Sequence, residues 1–186
     1  MIMELVTPAA QHLASYALAL EQGWSPDNLR PEAALAELER IKEDATRFLA
    51  EQDDRDAKGP PATLPDGLLM RRLPGYKRWM WDGEFCGAIG FRWQPGTAEL
   101  PPHILGHIGF SVVPWKRRRG YATRALALLL PSIKDEGLPH VDLTTDPENI
   151  ASQKVIAANG GVLVEHFTRP AVFGGARALR FRILLA

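Results

Sequence analysis

Hydrophobic and polar positions change period several times along the chain, and each change predicts an element. MIMELV reads as a strand that Pro8 closes. From Pro8 to about Gln22 the spacing becomes helical, with Leu13, Ala17 and Leu20 on one stripe. A proline in the first turn suits this helix, because its missing N–H would have no partner there. A second helix is predicted from Pro31 to about Leu49, where Leu35, Leu38, Ile41, Ala45 and Leu49 recur at helical spacing. Residues 51–67, EQDDRDAKGPPATLPDG, are charged, rich in proline and glycine, and aperiodic. They predict a long loop, either functional or a mobile surface segment.

At Tyr76 the period falls to two. YKRWMWDGEFCGAIGFRW holds two short strands joined at Asp82-Gly83, a dipeptide suited to a tight hairpin. HILGHIGFSVV is another strand. RRGYATRALALLLPSIKDEG is helical, with Ala122, Leu126, Leu129 and Ile133 as its buried stripe. Pro131 should kink or shorten that helix, and Gly137 suits its C-terminal cap. HVDLTT is a strand. NIASQKVIAANGG is a short helix with Asn149 at its N-cap and Gly160 past its end. GVLVEHF and ALRFRILL close the chain as strands. The order is strand, two helices, three strands, helix, strand, helix, two strands. It describes a mixed α/β sheet rather than a regular βαβ repeat. With 186 residues, 46% of them hydrophobic, the chain suits a single domain over residues 1–186.

Charge narrows the function. The 22 basic and 22 acidic side chains balance to zero, which argues against a nucleic-acid partner despite the cationic run Lys116 to Arg119. Cys86 is the sole cysteine, so no intrachain disulfide exists and a cytoplasmic location is expected. The N-terminus lacks a signal-peptide pattern, and no membrane partner is expected. No cluster has metal-ligand spacing, so no metal is expected. Cys86 reads as a small buried residue, and Trp79, Trp81 and Trp93 as core or interface.

The chemistry concentrates in VVPWKRRRGYATRAL, residues 112–126. It joins a strand, a basic turn, a glycine and a helix. A helix N-terminus offers unpaired N–H groups and the positive end of the macrodipole to an anion. Gly120 lets the backbone approach a bulky ligand, Ala122 keeps the next position small, and Arg117, Arg118 and Arg119 can hydrogen-bond phosphate oxygens. Val113-Pro114-x-x-Arg117-x-x-Gly120-x-Ala122 resembles the acetyl-coenzyme A signature of the GNAT acetyltransferases. The order of elements resembles that family too, and DPENIASQKVIAANGG sits where it has its Asn-x-x-Ser/Ala helix. Residues 78–166 are also similar to a little-characterised bacterial branch of acetyltransferases.

The resemblance implies an α/β (α+β) fold. Its mostly antiparallel central sheet would have about seven strands, flanked by about four helices, with a V-shaped splay between the fourth and fifth strands. It implies acetyl-CoA as cosubstrate. The backbone of Val112 and Val113 would pair with the pantetheine arm and the thioester. Arg117, Arg118, Arg119, Gly120, Tyr121 and Ala122 would cradle the pyrophosphate, and Asn149 and Ser152 would lie near the pantetheine and sulfur. Plainer roles stay open: Asn149 as an N-cap only, Ser152 as a helix residue, Arg118 as a solvated side chain, and Tyr121 as packing.

Proton handling departs from the family. Many relatives place a tyrosine acid seven residues after the helix asparagine; here that position is Ile156. Thiolate protonation then falls to water or Ser152. Strand alternation puts His103, Leu105, His107, Gly109 and Ser111 on one face, so His107 is the first choice of general base, with Glu99 and Glu84 behind it. A hydrogen-bonded structural histidine is the alternative. Arg180 and Arg182 share a strand face, either to hold an acidic acceptor group or as an ordinary solvated surface. The expected function is transfer of an acetyl group from acetyl-CoA to a primary amine of a small molecule or peptide, by direct attack in a ternary complex. A non-catalytic acetyl-CoA sensor is the alternative, and a homodimer is compatible with the resemblance.

Overall fold

The Asp82-Gly83 turn makes the hairpin its sequence predicts. In the computed structural model, which describes residues 2–28 and 30–185, β5 (Gly75–Trp81) and β6 (Phe85–Arg92) pair antiparallel on either side of it. Gly83 takes φ 106 there, a conformation that glycine adopts without steric penalty. On one side of this hairpin β1 (Glu4–Val6) pairs with β5. On the other, β7 (Ile108–Val112) pairs with β6. The first sheet is therefore ordered β1-β5-β6-β7. A second antiparallel sheet, β8-β10-β9, is built from β8 (His140–Thr145), β9 (Val162–Thr168) and β10 (Arg177–Leu184). No ladder joins β7 to β8, which are the fourth and fifth long strands. The sheet is split where the resemblance placed its splay.

Helices cover both faces of the first sheet. Alternation along β5 sends Trp79 to one face and Met80 to the other, each fully buried. Trp79 packs with α1 (Ala10–Glu21) and α3 (Ala45–Ala50) through Tyr16, whose ring stacks on it at 4.2 Å, and through Phe48. Met80 joins the core under α4 (Tyr121–Ser132), where Leu126 and Leu129 meet Ile89, Leu143 and Phe181. Burying side chains of this size contributes about 1.5–3 kcal/mol each. α5 (Ile150–Ala158) adds Ile156 to the same core.

Several expectations need correction. The predicted 31–49 helix is two helices, α2 (Ala33–Glu43) and α3, broken at Asp44. Asp44 is extended (φ −159, ψ 91), and its carboxylate accepts the Arg47 N–H at 2.9 Å, capping the second helix. The described residues thus form five α-helices, and Leu35 is exposed while Ala34 and Glu37 face inward. The 51–67 loop is partly strand. β2 (Asp53–Asp54) pairs with β5, and β3 (Ala62–Thr63) begins a small hairpin with β4 (Leu69–Met70). Arg55 and Arg78 lie over the Tyr76 ring at 4.3 and 4.4 Å and both pair with Asp53, fastening this segment down. The strand predicted from His103 begins only at Ile108, because residues 101–104 form a turn closed by Ile104 N–H to Pro101 O.

Candidate functional site

The slot between the two sheets begins at one point. Among the described residues, the one backbone hydrogen bond between the sheets runs from His107 N–H to Asp142 O, at 2.7 Å. Asp142 N–H returns a bond to His107 Nδ1 at 3.0 Å. Gly106 is pressed against the same strand; a Cβ there would lie 3.1 Å from Asp142 O. Beyond this seam the outer edge of β7 has no strand partner. Its Phe110 carbonyl accepts Asn28 Nδ2 at 3.4 Å, and its Val112 carbonyl accepts Arg117 Nε at 3.3 Å. The Ser111 hydroxyl accepts Trp24 Nε1–H at 3.0 Å. The segment after α1 is thereby pinned along β7, and neither Trp24 nor Asn28 stood out in the sequence.

Past Val112 the chain leaves the sheet. Val113 is fully buried and its N–H bonds Cys86 O at 3.0 Å, so β6 already holds that amide. Pro114–Lys116 form a 3-10 turn. Arg117, Arg118, Arg119 and Gly120 then lie exposed before α4. Arg118 and Gly120 are both left-handed, with φ 62 and 75. For Arg118 that conformation costs on the order of 1 kcal/mol, which marks the turn as held by its surroundings. Gly120 is the N-cap of α4, and a Cβ on it would meet nothing within 4 Å. Open space beside Gly120, the N-terminus of α4 and three exposed arginines together can take an anion. Ala122 sits half-buried in the first turn.

The cationic run is not uniform. Lys116 turns inward, its Nζ 2.6 Å from Asp82 Oδ1 and 3.1 Å from Glu84. Tyr121 donates its hydroxyl to Asp82 Oδ2 at 2.6 Å. Burial alone would raise the Asp82 carboxyl, but hydrogen bonds from Lys116, Tyr121 and Cys86 outweigh it and hold it at about 2. In the sequence Asp82 stands out only as a turn residue. Cys86 is buried as expected, and that burial, with Asp82 beside it, pushes its thiol up to about 12, which leaves it inert.

Helix α5 begins as its sequence predicts. Asn149 accepts the Ser152 N–H at 3.1 Å, and Ser152 is half-buried in the first turn. Ile156 is 1% exposed, a core side chain with no path to a ligand. His107 does not face outward as alternation suggested. It is fully buried at the seam, and desolvation lowers its pKa to about 4 against the lesser pull of Asp142. The Nδ1 lone pair is engaged, so the neutral ring carries its proton on Nε2. Glu84 is bound to Lys116, and Glu99 is exposed. Arg182 grips Asp142 with two bonds of 2.8 and 2.9 Å, and Arg180 pairs with Glu165 at 3.3 Å and lies over Phe167. Both arginines of that strand face are therefore engaged within the protein.

Comparison with known proteins agrees with this geometry. A family model described as an acetyltransferase (GNAT) domain matches residues 5–162. No curated protein matches the chain in sequence. Among solved structures, an acetyl transferase from Salmonella typhimurium that modifies the N-terminal serine of a 50S ribosomal subunit protein superposes with TM-score 0.65 at 12% identity, over 99% of this chain and 95% of that one. A ribosomal-protein α-N-acetyltransferase in complex with coenzyme A gives 0.63 at 12%, over 98% and 94%. The microcin C7 self-immunity acetyltransferase, in complex with acetyl-CoA and AMP, gives 0.61 at 12%, over 98% and 92%. At such identities the likeness is one of fold. The family model covers most of the chain, and with it the splayed strands and the cradle at α4: the chain belongs to the GNAT acetyltransferases.

Proposed function

We propose that this protein, acting as a single domain, transfers an acetyl group from acetyl-CoA to a primary amine of a small molecule or peptide. The observation that carries the reading is the outer edge of β7, which no strand pairs with among the described residues, leading into the Arg118–Gly120 turn at the start of α4. An extended pantetheine arm can add to that edge as a strand would, and the cradle suits its pyrophosphate. The family membership and the acetyl-CoA or coenzyme A named with two of the structural neighbours support the same cosubstrate.

The chemistry is a direct displacement. The neutral amine attacks the thioester carbonyl, the C–S bond breaks, the thiolate takes a proton and the ammonium formed on nitrogen loses one. Cys86 offers no covalent alternative, since its thiol is buried and protonated. His107 holds the seam rather than deprotonating the amine, because its one lone pair is engaged by Asp142. Ser152, or water beside it, donates to the thiolate. The acceptor enters along Trp24 and Asn28, the segment pinned over β7 through Ser111 and Phe110. The neighbours that act on a ribosomal protein favour a peptide amine. A cytoplasmic site of action fits the single buried Cys86.

Mass-spectrometric screening of amines, amino acids and N-terminal peptides with acetyl-CoA tests the reading. Acetylated product is expected from at least one class. The buried Ile156 motivates a second reading, an acetyl-CoA sensor without turnover. Binding of acetyl-CoA with no product from any acceptor would favour it.

A further inference from the structure

The 117–120 turn carries three consecutive exposed arginines, and Arg118 within it is held at φ 62. Like charge on neighbouring residues and the left-handed Arg118 both favour its opening. What holds it is fixed immediately outside it. Lys116 precedes the turn and Tyr121 follows it, and both end on one carboxylate, Asp82 Oδ1 and Oδ2, each at 2.6 Å. The Lys116 and Asp82 side chains are only 8% and 10% exposed, so water screens the pair little.

We propose that Asp82 is the positioning residue of the phosphate cradle: by tying both ends of the 117–120 turn to the β5–β6 hairpin, it preforms the site that takes the pyrophosphate of acetyl-CoA. The inference rests on the acetyl-CoA reading above. An asparagine at this place has one oxygen where the carboxylate has two and no charge to balance the Lys116 ammonium. Glu84 also reaches Lys116, but its side chain is 74% exposed and the bond to Tyr121 belongs to Asp82. The hairpin thus acts on the ligand through the turn and touches no reacting atom.

Calorimetric titration with CoA of the wild type, Asp82→Asn and Tyr121→Phe, alongside limited trypsin digestion mapped by mass spectrometry, tests this. Tyr121→Phe deletes a single hydroxyl and keeps the test sound if Asp82→Asn folds poorly. The expected result is a fall in CoA affinity of about tenfold for Asp82→Asn and about threefold for Tyr121→Phe. Faster cleavage should appear selectively after Arg117, Arg118 and Arg119, with other sites unchanged. Unaltered CoA affinity in the folded variants would overturn the inference, and so would cleavage that quickens throughout the chain. A wild-type protein that takes up no CoA would instead overturn the acetyl-CoA reading, and this inference with it.

Discussion

His107 and Asp142 hold each other twice. The histidine N–H donates to the Asp142 carbonyl at 2.7 Å, and the Asp142 N–H donates to the imidazole Nδ1 at 3.0 Å. Only a neutral ring can accept that second bond. The unfolded side chain titrates near 6.5, and in the folded protein desolvation lowers this to about 4. The stability that depends on the neutral ring is therefore complete above pH 6.5 and lost as pH falls through 4, on the order of 3 kcal/mol across the window.

Thermal melts from pH 7 to 4 check this against His107→Gln, whose amide oxygen can take over as acceptor. The wild type should lose more stability on acidification than the variant does. Parallel curves would show that the ring does not titrate at the seam. Turnover of His107→Gln should keep the wild-type pH profile near neutrality, as fits a group that holds strands together.

Gly120 tests the cradle. Its φ of 75 makes Gly120→Ala strained by about 1 kcal/mol, or roughly 2–4 °C in Tm. The new Cβ would enter space free of protein atoms within 4 Å, where the proposed ligand lies. Gly120→Val should therefore weaken CoA binding by about tenfold or more while melting remains cooperative. Equal CoA affinity in wild type and variant would take the pyrophosphate away from this turn.

Arg182→Ala should be costlier than a surface substitution. The Asp142 side chain is 8% exposed and would lose both of its guanidinium bonds, while Arg182 itself is 37% exposed. Stranding a buried carboxylate costs about 3 kcal/mol at the low end for such pairs. Chemical denaturation checks the magnitude. A change below about 0.5 kcal/mol would place this pair with ordinary surface bridges.

Ser152 and Ile156 separate chemistry from packing. Ser152→Ala should lower acetyl transfer about tenfold or more with CoA affinity retained, which steady-state kinetics with a responsive acceptor would read. Ile156→Tyr should lower stability by about 1–3 kcal/mol without raising the rate. A Cβ on Gly161 would already lie 2.3 Å from Ile156 Cγ2, so the site has no room to grow. A faster Ile156→Tyr enzyme would show that the slot does reach this position.

Local signals were legible in the sequence where the structure is local. Asp82-Gly83 marked the hairpin, Asn149 marked the start of α5, and the Gly120 motif marked the turn at α4. What depends on distant partners was not. Leu35 fits an unbroken helical stripe, yet α2 turns Glu37 inward because the buried Tyr16 hydroxyl donates to it. Asp82 meets Lys116 and Tyr121 across 34 and 39 residues, which no turn preference encodes. His107 escapes strand alternation because β7 begins one residue after it. Its burial comes from a second sheet arriving at Asp142.

The divided sheet has a mechanical consequence. Among the described residues one backbone hydrogen bond, at His107 and Asp142, joins the two sheets, and Val112 stands five residues along the chain from it, about 16 Å away. A displacement of a few tenths of an ångström at His107 or Asp142 is magnified over that lever. The gap proposed to take the thioester is thus gauged by a contact that lies outside it.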